Sequence, residues 1–309
     1  MITTVTLNTA IDKLYLVDEY IPYEVMRVKD CTYTPGGKGL NVTKVLHLLN
    51  EEVVATGFIG GYAGEWILEA LSNMGINHQF VKTEGETRSC INIKDLSTGK
   101  HTEFLEPGPS LDQSYEELFL NTFSVITKDS KVVTVSGSIP KGISQDIYSK
   151  IITLCKESGK KIIMDTSGKL LEEVIEKGPT MIKPNIDELR AITKEKIDTI
   201  DEIVKAAESI RQKGVSIVAV SLGKDGVLVV CDEGVYHGIP PKIEAVNTVG
   251  CGDSMLAGFA AGISREEGII DIIKKAVAVS AANALTSQTG YFEIDDYQRL
   301  LNQVVIKKL

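Results

Sequence analysis

At 309 residues, 43% hydrophobic and 24% charged, the chain has an ordinary globular composition and enough apolar mass for a sizeable core, so one large α/β domain spanning 1–309 is expected. A formal charge of −9, with no run of lysine and arginine longer than a pair, excludes nucleic acid and anionic membrane surfaces as expected partners. The five cysteines (Cys31, Cys90, Cys155, Cys231, Cys251) show no C-x-x-C spacing, and there is no signal-peptide pattern or membrane-length apolar run, so the expectation is a cytoplasmic protein with reduced thiols and no zinc site.

Residues 2–7 alternate threonine with apolar side chains and read as a first strand that ends at Asn8-Thr9-Ala10-Ile11-Asp12. In open α/β sheets ligands bind beyond the carboxyl ends of strands, which puts Asp12 where it could hold the hydroxyls of a polyol, although a turn or cap residue reads the same way. Residues 13–34 carry short alternating stretches, too short for helices and too polar for central strands, and predict a small sheet standing off the main body as a lid.

Pro35-Gly36-Gly37-Lys38-Gly39-Leu40-Asn41 then opens a helix marked by Val42, Val45, Leu46 and Leu49. Three glycines and a lysine at a helix entrance suit close approach to a phosphorylated or hydroxylated ligand, and the spacing is not that of a P-loop. A strand at 53–58 and a helix ending near Gly75 follow. Two alternating stretches, 87–93 and 101–105, joined by Ser97-Thr98-Gly99, predict a hairpin that presents Arg88; a lone strand arginine is more often solvated, so it counts only in company.

From 131 onward apolar strands alternate with helices. Strands end on Ser136-Gly137-Ser138, Asp165, Lys183-Pro184-Asn185 and Ser221-Leu222-Gly223-Lys224-Asp225-Gly226, with helices over 144–158, 200–213, 268–286 and 295–303. This is the pattern of a parallel sheet covered on both faces, with polar residues gathered at one edge. His47, His78, His101 and His237 have no ligand spacing.

The stretch Asn247-Thr248-Val249-Gly250-Cys251-Gly252-Asp253-Ser254 enters a small-residue helix. Two glycines flanking one small residue allow a tight turn that aims backbone N–H groups at one point, with a carboxylate on the first helical turn placed to take a proton from a hydroxyl. Taken alone, Gly-x-Gly-Asp also reads as a loop glycine followed by a capping aspartate.

Together these residues resemble the ribokinase-like sugar kinases of the PfkB family, over essentially the whole chain. Gly36-Gly37-Lys38-Gly39-Leu40-Asn41 looks like the family's N-terminal signature, and Asn247 to Ser254 like its C-terminal one, usually Gly-Ala-Gly-Asp. Lys183-Pro184-Asn185-Ile186-Asp187-Glu188 matches the Asn-x-x-Glu element and Ser221 to Gly226 the nucleotide loop. The resemblance implies a mostly parallel central sheet with helices on both faces, a small β-sheet lid from about 13–34 and 86–106, and an ATP-dependent kinase that uses Mg²⁺. Asp253 is then the base, with the N–H groups of Gly250, Cys251 and Gly252 as the anion hole. Asn185 and Glu188 are implied to organise Mg²⁺ through water, and Lys183, Asn185, Ser221, Gly223, Gly226 and Asn283 to line the nucleotide cleft.

On the sugar side the resemblance implies that Asp12, Gly37 and Asn41 hold hydroxyls. Arg27, Lys38, Arg88 and Ser138 map onto positions that hold an existing phosphate in the hexose-phosphate branch, and a neutral sugar would leave those cations unpaired. Two activities fit, tagatose-6-phosphate kinase and 1-phosphofructokinase. Residues 85–91, 103–109 and 288–291 look more like the tagatose enzyme, whereas the fructose enzyme usually has Asn where this chain has Cys90. A homodimer through the lid is expected by the same resemblance. A catalytically silent sensor of the same fold is the alternative of another class, opposed by the presence of Asp253 and Asn185-x-x-Glu188. A dehydrogenase is not supported, because no strand leads into G-x-G-x-x-G.

Overall fold

The structure, a computed structural model, describes residues 1–309. β1 (Ile2–Thr6), β2 (Ala10–Val17) and β3 (Asp30–Gly36) lead into α1 (Lys38–Leu48), β4 (Val53–Gly60), α2 (Gly61–Asn73), β5 (Asn77–His78) and β6 (Val81–Thr83). β7 (Arg88–Asp95) and β8 (His101–Leu105) precede α3 (Ser114–Ile126). The chain then alternates β9 (Val132–Ser136), α4 (Ile147–Glu157), β10 (Lys161–Asp165), α5 (Gly168–Glu176) and β11 (Met181–Ile182), followed by α6 (Ile186–Thr193), α7 (Ile200–Arg211) and β12 (Ile217–Ser221). β13 (Val227–Cys231), β14 (Gly234–Ile239), α8 (Cys251–Ser264), α9 (Ile269–Ala284), α10 (Ile294–Leu301) and β15 (Val305–Lys308) complete it.

These elements make the ribokinase-like α/β architecture expected from the sequence. β12, β11, β10, β9, β1, β4 and β5 lie side by side and parallel, with β6 also on β4 and the antiparallel strands β13, β14 and β15 extending one edge. Apolar β-branched runs such as Ile162-Ile163 and Val132-Val133 form the central strands because both faces are covered. One face packs α1, α2, α8, α9 and α10; the other packs α3, α4, α5, α6 and α7. On α9, Ile269, Ile272, Ile273, Ala276 and Val277 are buried at helical spacing, so this apolar stretch is core.

A second sheet, in the order β3, β2, β7, β8, stands at the mouth of the first. It matches the lid expected from 13–34 and 86–106, except that 18–29 forms an irregular connection between β2 and β3 rather than sheet. The sequence reading leaves β5, β6, α3, α5, α6, the β13–β14 hairpin and β15 unassigned. No helix is long and apolar enough to cross a membrane.

Consecutive parallel strands deliver their carboxyl ends to one edge, and β1 sits where the order reverses, with β4 on one side and β9 on the other. α1 comes close to this point because Gly39 carries no side chain: a Cβ there would lie 2.2 Å from Thr6 Oγ1 and 2.7 Å from the Val5 carbonyl. Gly39→Ala is therefore expected to destabilise the protein by about 1–3 kcal/mol, measurable as a lower urea midpoint; an unchanged midpoint would show that α1 can move off β1 without cost.

Candidate active site

The strand ends and the small sheet enclose a cavity of about 670 Å³. Asp253, Gly250, Gly252, Asp12, Gly37, Lys38 and Asn41 line it, as do Arg88, Ser138, Lys183, Asn185, Glu188 and Ser221. The structure thus brings together most of the residues singled out in the sequence. Cys251, Asn283, Gly223, Gly226 and Arg27 do not line it.

Gly250 caps α8 with φ +80, a conformation that favours glycine, and a Cβ there would lie 2.7 Å from Thr289 Cγ2. The Cys251 N–H closes a turn onto the Thr248 carbonyl at 3.3 Å, whereas those of Gly250, Gly252 and Asp253 have no protein acceptor. The free donors at this helix start are therefore Gly250, Gly252 and Asp253, which corrects the expected set by replacing Cys251 with Asp253. The Cys251 side chain faces the back of the loop, 3.6 Å from Asn283 Nδ2, and burial pushes its thiol up to about 11 against any helix-dipole effect.

Asn283 is also placed differently from expectation. It is fully buried and brackets the loops behind the cavity: its Oδ1 accepts from Ser254 Oγ and Gly290 N, both at 3.0 Å, and its Nδ2 donates to the Val249 carbonyl at 3.1 Å. Its polar atoms are used up in holding the anion loop, so it cannot line a nucleotide cleft. Gly223 and Gly226 flank a short turn after β12 outside the cavity lining, with only Ser221 of that segment inside. Arg27 is exposed in the 18–29 connection without an ion-pair partner, so its own chain does not bring it to the cavity.

Asp253 is 7% exposed, and Asn41 Nδ2 donates to its Oδ2 at 2.8 Å. Burial, reinforced by the Asp165 carboxylate and opposed by Lys38, Asn41 and Lys183, raises its pKa to about 6. That makes it a stronger proton acceptor than an ordinary carboxylate and still ionised at neutral pH. Asp12 is raised by burial too, against the pull of Lys44, the Gly37 N–H and Arg88. Lys44, which the sequence reading did not single out, is buried, donates to the Thr289 carbonyl at 3.0 Å and is pushed down by burial to about 8. An apolar helix face gives no signal that such a lysine turns inward.

Arg88 gains the company it needed. Its Nε and one Nη2 hydrogen hold the Asn8 carbonyl at 3.3 and 3.1 Å, and one Nη1 hydrogen holds the Glu106 carbonyl at 2.8 Å. Two of the five guanidinium N–H groups remain at the end of the fork. Ser138 Oγ accepts from Asn8 Nδ2 at 3.1 Å and keeps its own hydrogen to donate. Of seven buried side-chain polar atoms without a partner, four (Thr6 Oγ1, Asn8 Oδ1, Asn41 Oδ1 and Ser136 Oγ) belong to residues lining this one cavity, as expected where a ligand rich in hydroxyls completes the bonding.

The Asn185-x-x-Glu188 element is a capping box. Asn185 Oδ1 accepts from the Glu188 N–H at 2.8 Å, and Glu188 Oε2 accepts from the Asn185 N–H at 2.9 Å. One carboxylate oxygen of Glu188 stays free at the cavity. No group of three or more histidine, cysteine or acidic side chains is arranged to hold a metal. A single free carboxylate oxygen with no cage suits Mg²⁺, which keeps most of its waters and is held largely by substrate phosphates.

A parallel α/β sheet with a small covering sheet, a helix start with free N–H groups, a buried carboxylate beside it and cations at the cavity walls defines a sugar kinase of the ribokinase-like class. Residues 3–295 match the pfkB family of carbohydrate kinases, and the chain belongs to that family. It is 33% identical to a Staphylococcus aureus protein provisionally described as a phosphofructokinase, covering 100% of this chain and 99% of that one with a TM-score of 0.86. Escherichia coli phosphofructokinase-2, in a complex with potassium, is 26% identical over 98% of each chain with a TM-score of 0.92. A Thermotoga maritima protein provisionally described as a 1-phosphofructokinase is 28% identical over 100% of this chain and 99% of that one, with a TM-score of 0.91. The protein is accordingly an ATP-dependent sugar kinase that uses ATP with Mg²⁺.

Asp253→Asn is expected to lower kcat by about 10² to 10⁴ with nucleotide affinity little changed, because the amide keeps the shape and cannot accept a proton. In the wild type, kcat should fall as pH drops through about 6, where Asp253 gains its proton. An effect of the substitution below about tenfold, or a flat profile between pH 5 and 7, would remove Asp253 from the role of base. Cys251→Ala should stay within about threefold of wild-type activity, and iodoacetamide at pH 7 should inactivate the wild type only slowly, because the thiol is protonated and lies behind the loop.

Proposed function

We propose that the protein transfers the γ-phosphoryl group of ATP to a ketohexose monophosphate, giving the bisphosphate, and that the sugar is tagatose 6-phosphate. The observation that carries the phosphorylated substrate is that Arg88 and Ser138, both hydrogen-bonded to Asn8 and both lining the cavity, keep two guanidinium N–H donors and a hydroxyl hydrogen unused, which suits an anion that is not the one in transfer. Escherichia coli phosphofructokinase-2, the relative with the 0.92 TM-score in its potassium complex, also has a complex with fructose 6-phosphate, which supports the hexose-phosphate class.

In this reading Asn41, Asp12 and the backbone at Gly37 hold sugar hydroxyls, and Asn41 keeps the Asp253 carboxylate aimed at the reacting one. As the new O–P bond forms and the bond to the ADP leaving oxygen breaks, the hydroxyl proton passes to Asp253. The N–H groups of Gly250, Gly252 and Asp253 meet charge on the phosphoryl oxygens, which is where a loose transition state needs help. Lys183 and Ser221 border the nucleotide side. Glu188 and Asn185 would hold Mg²⁺ through water, and the ion would supply charge neutralisation on the ATP phosphates.

The choice of tagatose rests on Cys90, which pairs with Asp12 across β2 and β7 and lines the cavity with a weakly hydrogen-bonding thiol. Tagatose and fructose 6-phosphates differ only in the hydroxyl at C4, so one wall residue can decide between them. We place the enzyme in the cytoplasm, where its five free thiols would stay reduced.

We also propose a homodimer through the small sheet. Tyr33 and Phe104 occupy one cross-strand row with Lys13 and Ile91 and are 48% and 51% exposed, an apolar surface that a second copy would cover. Arg27 could then reach a sugar phosphate only by movement of its connection or from the second copy.

The decisive experiment compares kcat/KM for tagatose 6-phosphate, fructose 1-phosphate and fructose 6-phosphate. Tagatose 6-phosphate should give the highest value; a higher value for either fructose phosphate overturns the choice of sugar, and turnover of none overturns the substrate class. Arg88→Ala should raise KM for the sugar phosphate by about tenfold or more and leave KM for ATP nearly unchanged, since a charge-assisted contact to the non-reacting phosphate is lost.

A further inference from the structure

In the sequence Asp165 is only the residue on which an apolar strand ends. In the structure it is 3% exposed, and each of its oxygens faces an ammonium group: Lys38 Nζ lies 3.4 Å from Oδ1 and Lys183 Nζ 3.1 Å from Oδ2. Lys38 comes from the start of α1 and Lys183 from the end of β11, so one carboxylate on β10 ties together three elements that meet at the cavity floor.

We propose that Asp165 is a positioning residue that holds Lys38 and Lys183 as one unit, so that the sugar-phosphate side and the nucleotide side of the site are set together and act on Asp253 as a pair. This rests on the kinase reading given above.

Three observations carry it. Burying a carboxylate is costly, and an ion pair kept only for stability would be matched by an apolar residue, whereas here both partners face the cavity. Burial alone would raise the Asp165 pKa, yet Lys183 and Lys38 together hold it below the usual carboxylate range, so the carboxylate stays charged and binds both lysines; Asp165 in turn raises Lys38. Finally, the Asp165 carboxylate adds to burial in raising the proton affinity of Asp253. The groups that face Asp253 are Lys38, Asn41 and Lys44 from α1, Asp165 from β10 and Lys183 after β11, and Glu188 at the start of α6 acts on it through Lys38. Removing the Asp165 charge takes away repulsion and frees two cations, and both changes make Asp253 easier to ionise.

The test is Asp165→Asn, with steady-state kinetics against both substrates over pH 5 to 8. KM for ATP and KM for the sugar phosphate should rise together, each about tenfold, and the acid limb of the kcat profile should move about one pH unit lower. A purely structural role would lower the melting temperature and leave both KM values and the limb in place, which overturns the proposal. Recovery of the variant by raised Mg²⁺ alone also overturns it, because Asp165 would then be holding the metal.

A second pair of variants does not depend on the folding of Asp165→Asn. Lys38→Met should raise KM for ATP as well as for the sugar phosphate, and Lys183→Met should raise KM for the sugar phosphate as well as for ATP, each cross-effect about threefold or more. Effects confined to one substrate per lysine overturn the coupling. If the wild type transfers no phosphate to any hexose phosphate, it is the reading of the site that fails and not the coupling.

Discussion

The site depends on one buried amide. Asn283, on the last turn of α9, is fully inaccessible, and its hydrogen bonds reach Ser254 on α8, Val249 in the loop before it and Gly290 and Tyr291 in the loop that follows α9. An amide in an apolar interior must have its donors and acceptors filled, and here they are filled only if both loops and the start of α8 keep one arrangement. The positive φ of Gly250 and the free N–H groups of Gly252 and Asp253 follow from that arrangement. Lys44 adds a second tie from the opposite side, holding the Thr289 carbonyl and so the same loop.

The parallel sheet explains why so few residues are enough. β1, β9, β10, β11 and β12 end within one hydrogen-bonded array, so Asn8, Ser138, Asp165, Lys183 and Ser221 are carried to a common edge by backbone pairing that the core fixes. Rigid strand ends hold donors in place before the ligand arrives, which is where electrostatic catalysis gets its advantage. The small sheet then closes one wall with Asp12, Cys90 and Arg88, side chains that come from two parallel strands in register.

Much of this was legible in the sequence because it is written locally. Strand-end polar residues, the glycine-flanked helix starts and the alternation of strand and helix each need only neighbouring residues to be recognised. What was not legible depends on contacts distant in sequence. Asn283 reads as one polar residue on an apolar helix, and nothing nearby says that one of its partners, Ser254, lies 29 residues before it. Cys251 was expected in the anion hole by position in a motif, yet the turn onto Thr248 uses its N–H, and it is the Asp253 N–H that is left free. The roles of Asp165 and Lys44 were missed for the same reason, since neither an ion pair across three elements nor a lysine bond to a distant carbonyl leaves a periodic trace. Arg27 shows the opposite case: it was expected at the sugar phosphate from the resemblance, but a connection without regular structure leaves it exposed.

Charge balance links these parts to catalysis. Lys13, Lys38, Lys44, Lys183 and Arg88 stand within or beneath the cavity with Asp12, Glu103, Asp165, Asp253 and Glu188, so the site holds equal numbers of cationic and acidic side chains in a chain that carries −9 overall. Each phosphate that binds adds negative charge, and unless it is offset this would raise the proton affinity of Asp253 further and keep the base protonated. The two unused guanidinium donors of Arg88 and the free N–H groups of α8 meet that charge without bringing a counter-charge of their own, because their other donors are already satisfied by backbone carbonyls or helix turns. On the proposed function, a pKa of about 6 at Asp253 suits a site that takes on more anionic charge than it carries by itself, and the cations proposed to bind substrate would also keep Asp253 able to take the proton.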